Sequence, residues 1–354
     1  MACKRPAVRD RLAPYKNMII KDKKSRPIED LRISVTDRCN FRCSYCMPKE
    51  IYNSNYSFLK KDNILSFEEI LRVVKVLNNF HIKKIRITGG EPLIRRNVSN
   101  LIRSVKKINN SFDIGITTNG VLLSDKMANE LYKSGLDRIT VSLDSLDNKK
   151  FQKLSNSKYR VSDVLEGIDN ARKAGFKNIK VNMVVIKDFN DEDIVPILQY
   201  FYNKNIIVRF IEYMDVGNTN NWSMDDVITK ENILKIIKKK FFINDLEKNY
   251  LSEVANRWGY DGGEFGIISS ISSPFCQNCS RLRLTAEGML YTCLFSNNGH
   301  DVKEVLRKYK NDAEVSKFIM KMWQKRNDQY SLDRLNNLDN IKILRKAEMS
   351  YIGG

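Results

Sequence analysis

From residue 31 to residue 212, short runs of alternating apolar and polar side chains take turns with longer amphipathic stretches. Leu31-Arg32-Ile33-Ser34-Val35-Thr36 has the period of two that marks a strand with two unlike faces. Ile85-Arg86-Ile87-Thr88 repeats it, and further strands are predicted over 114–117, 139–143, 179–185 and 208–212. Helices are predicted between them. Ser66 is an N-cap with Glu68 and Glu69 in the first turn of a helix running to Phe80. Others cover about 97–109, 124–134 (stopped by Gly135), 161–174 (stopped by Gly175) and 191–203.

Six strands alternating with helices predict the α/β class and a parallel sheet with right-handed crossovers. Six units rather than eight make a partial (β/α)6 barrel, open on one side. Ligands of such sheets bind at the carboxyl ends of the strands. Gly89-Gly90-Glu91, Thr117, Ser142 and Met214 all fall at those ends. Residues 1–30 read as an irregular lead-in, broken by Pro6, Pro14 and Pro27. Residues 222–354 change character into an α+β region, with helices near 229–241 and 301–326 and strand-like runs at 266–270 and 282–285. The expected division is therefore 1–30, 31–221 and 222–354.

Lys and Arg total 61 against 42 acids, a net charge of +19. Such a field attracts polyanions. The lysines are spread along the whole chain, so the charge is read mostly as background, and function is reserved for arginines near strand ends. No run of about twenty apolar residues and no apolar signal core occurs, so neither a membrane span nor a secretory signal is expected. Of seven cysteines, six fall into two groups. In 354 residues that is no disulfide framework. It implies metal handling in a reducing, cytoplasmic setting. Cys3 stands alone and reads as a free thiol.

The first group, Cys39, Cys43 and Cys46, is spaced C-x3-C-x2-C and follows the first strand. Thiolates suit iron–sulfur clusters or zinc. Zinc sites favour C-x2-C pairs, so an iron–sulfur cluster is the stronger reading here. A cubane cluster takes four cysteines, so three leave one iron open to a ligand. In the second group Cys276 and Cys279 form a C-x2-C pair, with Cys293 further on. Its spacing leaves iron–sulfur and zinc both open, the latter with His300 as a fourth ligand. Arg281-Leu282-Arg283-Leu284 alternates, placing two guanidiniums on one strand face beside Cys279, an arrangement suited to a polyphosphate or carboxylate.

The first cysteine spacing, with Tyr45 before the third cysteine, resembles the cluster loop of radical S-adenosylmethionine enzymes. The series is similar to the GTP 3′,8-cyclase family, which opens molybdenum cofactor (molybdopterin) biosynthesis. It comprises Thr36 to Pro48, Ile87 to Leu93, Thr117 to Gly120, Val141 to Asp144, Arg209 to Asp215, Phe275 to Thr285 and the final Gly353-Gly354. The resemblance implies two [4Fe–4S] clusters, held by Cys39, Cys43 and Cys46 and by Cys276, Cys279 and Cys293. It implies S-adenosylmethionine at Tyr45, Gly90, Ser142 and Met214. GTP would lie between the clusters at Arg32, Arg86, Thr117, Lys180, Arg209, Arg281, Leu282 and Arg283. Arg281, Arg283, Gly353 and Gly354 would be catalytic, the glycines reaching into the active site. A 5′-deoxyadenosyl radical would take the 3′ hydrogen of the ribose, and the new radical would close onto C8 of guanine. An electron donor, a homodimer and a successor cyclic pyranopterin monophosphate synthase are further expectations. The rivals are another radical enzyme with an auxiliary cluster, or a basic zinc-binding nucleic-acid module.

Overall fold

The computed structural model describes residues 18–261, 263–336 and 346–353. Most of the lead-in, Cys3 and Gly354 lie outside them. Twelve strands form one sheet: β1 Asp30–Ser34, β2 Lys84–Thr88, β3 Asp113–Thr118, β4 Arg138–Ser142, β5 Ile179–Val185, β6 Ile207–Glu212, β7 Ile243–Leu246, β8 Asn256–Tyr260, β9 Gly263–Ile268, β10 Arg281–Leu284, β11 Met289–Tyr291 and β12 His300–Asp301. Their spatial order is β12-β11-β10-β1-β2-β3-β4-β5-β6-β9-β8-β7. The six expected strands stand side by side and parallel. The C-terminal chain lengthens that run at both ends: β10 joins β1 and β9 joins β6, each in parallel.

The helices are α1 Phe67–Asn78, α2 Val98–Ile108, α3 Asp125–Lys133, α4 Asn148–Ser155, α5 Val161–Lys173, α6 Ile194–Tyr200, α7 Lys230–Lys238, α8 Val302–Lys308, α9 Asp312–Lys325, α10 Tyr330–Asn336 and α11 Met349–Ile352. Helix α1 opens as its sequence asks. Ser66 Oγ accepts from Glu69 N at 3.2 Å, and the Glu69 carboxylate accepts from Ser66 N at 2.8 Å. Such a cap is worth about 1 kcal/mol. Two expectations need correction. The helix over 301–326 is two helices, because Asn311 caps α9 after a break. Pattern also missed α4, α10 and α11 and strands β7, β8, β11 and β12, which are short or lack clean alternation.

Parallel sheets are usually apolar on both faces because helices cover both. This one is not. Leu31, Ile33, Ile85, Ile87, Ile114, Ile116, Ile139, Val141 and Val181 are buried in the core with apolar residues of α1 to α6. The alternate positions are polar: Asp30, Arg32 and Ser34, then Arg86 and Thr88, Thr117, Arg138 and Ser142, Lys180 and Asn182, Arg209, and Arg281 with Arg283. Register places Arg283, Arg32 and Arg86 in one row across three strands. Cations do not gather on a buried surface without something to meet, so this face is where chemistry is sought.

Candidate active site

The first cysteine loop leaves the carboxyl end of β1 and is held by backbone. Arg42 N donates to Ser155 O (2.8 Å) and Ser44 N to Leu154 O (3.0 Å), so the end of α4 anchors it. Arg42 Nη1 donates to Cys39 O at 2.8 Å. Gly90 N donates to Thr36 O, and Glu91 N to Arg38 O, both at 2.8 Å. A Cβ on Gly89 would lie 2.6 Å from Thr36 O, and one on Gly90 would collide with the Arg38 carbonyl. Glycine is needed here because two backbones touch. Buried Glu91 gathers Leu93 N (3.0 Å), Thr118 Oγ1 (2.8 Å) and Asn119 N (2.8 Å), locking this loop to the end of β3. Burial pushes its carboxyl up to about 7. Asp144, beyond β4, accepts from Tyr45 Oη (2.9 Å) and Val184 N (2.8 Å), and burial raises it to about 6.

A cavity of about 1000 Å³, including its mouth, opens here. Its walls include Cys39, Cys43, Cys46, Tyr45, Gly90, Glu91, Ser142 and Asp144. Burial, then the Glu91 charge, lifts the Cys39 thiol to about 12. Cys43 and Cys46 are raised by burial and by neighbouring thiols.

The second group assembles around a hairpin. Cys276 and Cys279 precede β10, and the antiparallel return of β11 brings Cys293 back beside them. Here the neighbours are cations. Arg281 Nη2 and Arg326 Nη2 each donate to Cys279 Sγ at 3.3 Å. Burial alone would raise the Cys279 thiol. Arg281 and Arg326 outweigh it, and the thiol falls to about 6. Cys293, without such a partner, is lifted by burial to about 12.

A second cavity, of about 1270 Å³ including its mouth, is lined by this trio and by Arg26, Arg32, Arg86, Arg209, Arg281, Arg283, Thr117, Asn182 and Met214. Tyr45, Thr117, Asn182, Val184, Ile211 and Met349 belong to the walls of both cavities. The two cysteine trios therefore face adjoining spaces with a common wall. Arg32 Nε, Arg26 Nη2, Thr117 Oγ1 and Asn182 Oδ1 are buried without a partner among the described residues, as groups awaiting a polar ligand are. Burial, then Arg283 and Arg86, pushes the Arg32 guanidinium well below its ordinary range. Burial also lowers Arg86 and Arg283 to about 10, with Arg138 and Arg281 next in effect. An anion bound here would relieve that stress.

The chain end reaches this face. The Gly353 carbonyl accepts from Arg283 Nη1. Gly353 has φ 74°, and a Cβ there would lie 2.5 Å from Thr88 Cγ2. Both facts demand glycine. Gly354 lies outside the described residues.

Not every expected site residue lines a cavity. The Leu282 side chain is fully buried, and strand parity turns it to the apolar face, where it packs in the core. Lys180 lies on the polar face but outside both cavity walls. Burial, then Arg209 and Arg138, lowers its amine to about 7. His300 is a correction. It sits exposed on edge strand β12, paired with Leu290. Among the described residues no group of three or more His, Cys, Asp or Glu is placed to hold one metal ion, so the Cys3His zinc site is not formed. The six cysteines of the two groups are free. Three thiolates per cavity match a cluster whose irons take one thiolate each. Sequence reading placed Glu91 at a strand end without giving it a role, and it missed Asn182, Arg26 and Arg326. Asn182 was within reach, since it follows Lys180 at the strand period of two.

Two family models match the chain, one over each cysteine trio. The Radical SAM superfamily matches residues 33–201, with the first trio, and Molybdenum Cofactor Synthesis C matches 206–332, with the second. The GTP 3′,8-cyclase of Staphylococcus carnosus (strain TM300) is 48% identical over 338 residues, covering 95% of this chain and 99% of that protein. The chain belongs to the GTP 3′,8-cyclase family. Within it, the enzymes of Staphylococcus haemolyticus (strain JCSC1435) and Staphylococcus aureus (strain Mu50) are 47% and 46% identical, with the same coverage. Among solved structures, Streptococcus suis SuiB bound to S-adenosylmethionine aligns with a TM-score of 0.59 at 14% identity, over 84% of this chain and 67% of that one. That likeness concerns the fold alone. Among the described residues no helix is long and apolar enough to cross a membrane.

Proposed function

We propose that this chain is a radical S-adenosylmethionine lyase that converts GTP to (8S)-3′,8-cyclo-7,8-dihydroguanosine 5′-triphosphate, the first step of molybdenum cofactor biosynthesis. The observation that carries the reading is the pair of cysteine trios on adjoining cavities, with a row of buried arginines on the shared sheet face. Membership of the family supports it.

Cys39, Cys43 and Cys46 would hold one [4Fe–4S] cluster, with S-adenosylmethionine at Tyr45, Gly90, Ser142 and Met214. Cys276, Cys279 and Cys293 would hold the other. When bound, S-adenosylmethionine and its cluster supply the radical chemistry that takes a hydrogen from the ribose. The nucleotide loses the hydrogen on C3′, gains a bond from C3′ to C8, and takes up one electron and one proton. The protein's own share is to bind, orient and exclude water. Arg32, Arg86, Arg209, Arg281 and Arg283 meet the triphosphate, with Thr117 and Lys180 on the same polar face. Forked, permanently charged donors suit phosphate oxygens. Arg283 also carries Gly353, so phosphate binding and placement of the glycine tail share one side chain. Arg281, Arg283, Gly353 and Gly354 form the catalytic set.

The parallel strands make a partial barrel, open on the side that 222–354 covers, with 31–221 as the radical unit. The enzyme works in the cytoplasm as a homodimer. It draws electrons from a donor and hands its product to a cyclic pyranopterin monophosphate synthase. The test is anaerobic reconstitution with iron and sulfide, then incubation with S-adenosylmethionine, reductant and GTP. The expected result is 5′-deoxyadenosine together with a cyclised nucleotide. Reconstituted protein that cleaves S-adenosylmethionine indifferently to GTP refutes the substrate.

A further inference from the structure

Beneath the Cys276–Cys279 turn lies a buried frame built from the two ends of the chain. Arg326 Nη1 donates to Cys279 O at 2.7 Å and reaches the Asp22 carboxylate at 3.2 Å, while its Nη2 donates to Cys279 Sγ at 3.3 Å. Arg26 Nη1 donates to Cys276 O at 2.8 Å, and its Nε donates to Asp22 at 2.7 Å. The Arg326 guanidinium lies over the Trp323 ring at 4.5 Å, and Trp323 Nε1 donates to Arg26 O at 2.9 Å. The side chains of Arg26, Asp22 and Arg326 are 3%, 0% and 1% exposed, so solvent screens none of them.

We infer that Arg326 seats the second iron–sulfur cluster and sets its reduction potential, acting through Cys279. This rests on the proposed ligation of that cluster. Arg26 and Arg326 share the buried carboxylate of Asp22, and Arg326 Nε also reaches the more exposed Asp328 carboxylate at 3.4 Å; with Arg281 on Cys279 Sγ, three guanidiniums face two carboxylates, which leaves positive charge beside the thiolates. Reduction adds one negative charge to a cluster. An N–H donor on a ligand sulfur and a buried cation both favour that state, so both raise the potential. Arg281 also donates to Cys279 Sγ, and both arginines line the second cavity, but Arg281 stands on strand β10 in the sheet. Arg326 additionally grips the backbone of the ligand and the carboxylate behind it. It is a positioning residue of the cluster, separate from the arginines placed on GTP.

The test is an EPR-monitored redox titration of the reconstituted full-length protein, with added S-adenosylmethionine marking the first cluster's signal. In Arg326→Gln the ratio of reduced to oxidised second cluster at a fixed potential should fall about tenfold, about 59 mV for one electron. The first cluster should not move, and the iron content should hold. Asp22→Asn removes the counter-charge and should shift the second cluster the opposite way, whereas general damage would shift both variants alike. An unchanged second-cluster midpoint in Arg326→Gln overturns the inference. Where Arg326→Gln does not hold the second cluster, Arg326→Lys decides. It keeps the charge but has no fork to bond sulfur and carbonyl together, so a smaller fall, about threefold, is expected. Wild-type behaviour of Arg326→Lys overturns the proposal, and loss of the second cluster alone from both variants supports the seating role. Loss of both clusters together overturns it, because Arg326 would then be supporting the fold. Absence of any second cluster from the wild-type protein instead refutes the underlying ligation.

Discussion

The two cysteine loops carry the same number of thiols and sit in opposite electrostatic settings. Around the first are carboxylates: Glu91 and Asp144 line its cavity, and Cys39 is lifted by burial and by Glu91. Around the second are guanidiniums: Arg281 and Arg326 touch Cys279 and bring it down to about 6. The difference teaches what each half is built to receive. S-adenosylmethionine has a sulfonium cation and an ammonium group, which carboxylates welcome. GTP brings a polyanion, which arginines welcome. On the proposed function, one fold would hold two centres of like chemistry and sort their ligands by the sign of the surrounding charge.

The largest expected effect breaks one side of that contrast completely. Cys276→Ala should lose about half the bound iron and all cyclised nucleotide, while the first cluster still cleaves S-adenosylmethionine. Iron analysis and product chromatography read both at once, and undiminished cyclisation would remove the second trio from the mechanism. Next, Arg281→Ala with Arg283→Ala should raise the KM for GTP by about two orders of magnitude, since truncating buried charged contacts costs about 2–5 kcal/mol. The KM for S-adenosylmethionine should stay within about threefold. Equal changes in the two would show that the charge contrast does not sort the ligands.

The carboxylate side is probed by Asp144→Asn. Loss of one charged contact, about 1.5–3 kcal/mol, should weaken S-adenosylmethionine at least tenfold and leave GTP alone. Its pH dependence has a definite sign. Burial holds Asp144 up to about 6, so its charge is lost as pH falls through that value. Affinity for S-adenosylmethionine should weaken there in the wild type, and the slope should flatten in Asp144→Asn. Calorimetric titrations at pH 5.5 and 7.5 measure it.

The smallest effect is on stability. Burial raises Glu91 from 4.5 to about 7, so between those values the folded state keeps a proton that the unfolded chain releases. Stability therefore falls as pH rises through that window. In Glu91→Gln the thermal midpoint should vary less between pH 5 and 7.5 than in the wild type. An unaltered pH profile would show that Glu91 does not hold that proton.

Much of this was legible in the chain. Alternation in Leu31 to Thr36 and in Ile85 to Thr88 announced strands with one polar face. That polar face forms part of the wall of the second cavity, so the same pattern marks the element and the cavity wall together. The cysteine spacing and the Arg281-Leu282-Arg283 alternation are local, and local sequence is enough to group those residues. Leu282 shows the limit, because strand parity separates it from the arginines on either side.

Sequence by itself determined which residues form the six central parallel strands, which of their faces are polar, and which thiols fall near one another along the chain. Only the tertiary structure decided what meets across distance. The parallel pairing of β10 with β1 set Arg283 beside Arg32 and Arg86. The fold carried Asp22 and Arg26 to Arg326, some three hundred residues away, and brought the glycine tail to Thr88. Short-range periodicity follows from backbone geometry and can be read along the chain. Which charges share a buried space follows from long-range closure of the sheet, and no local pattern records it.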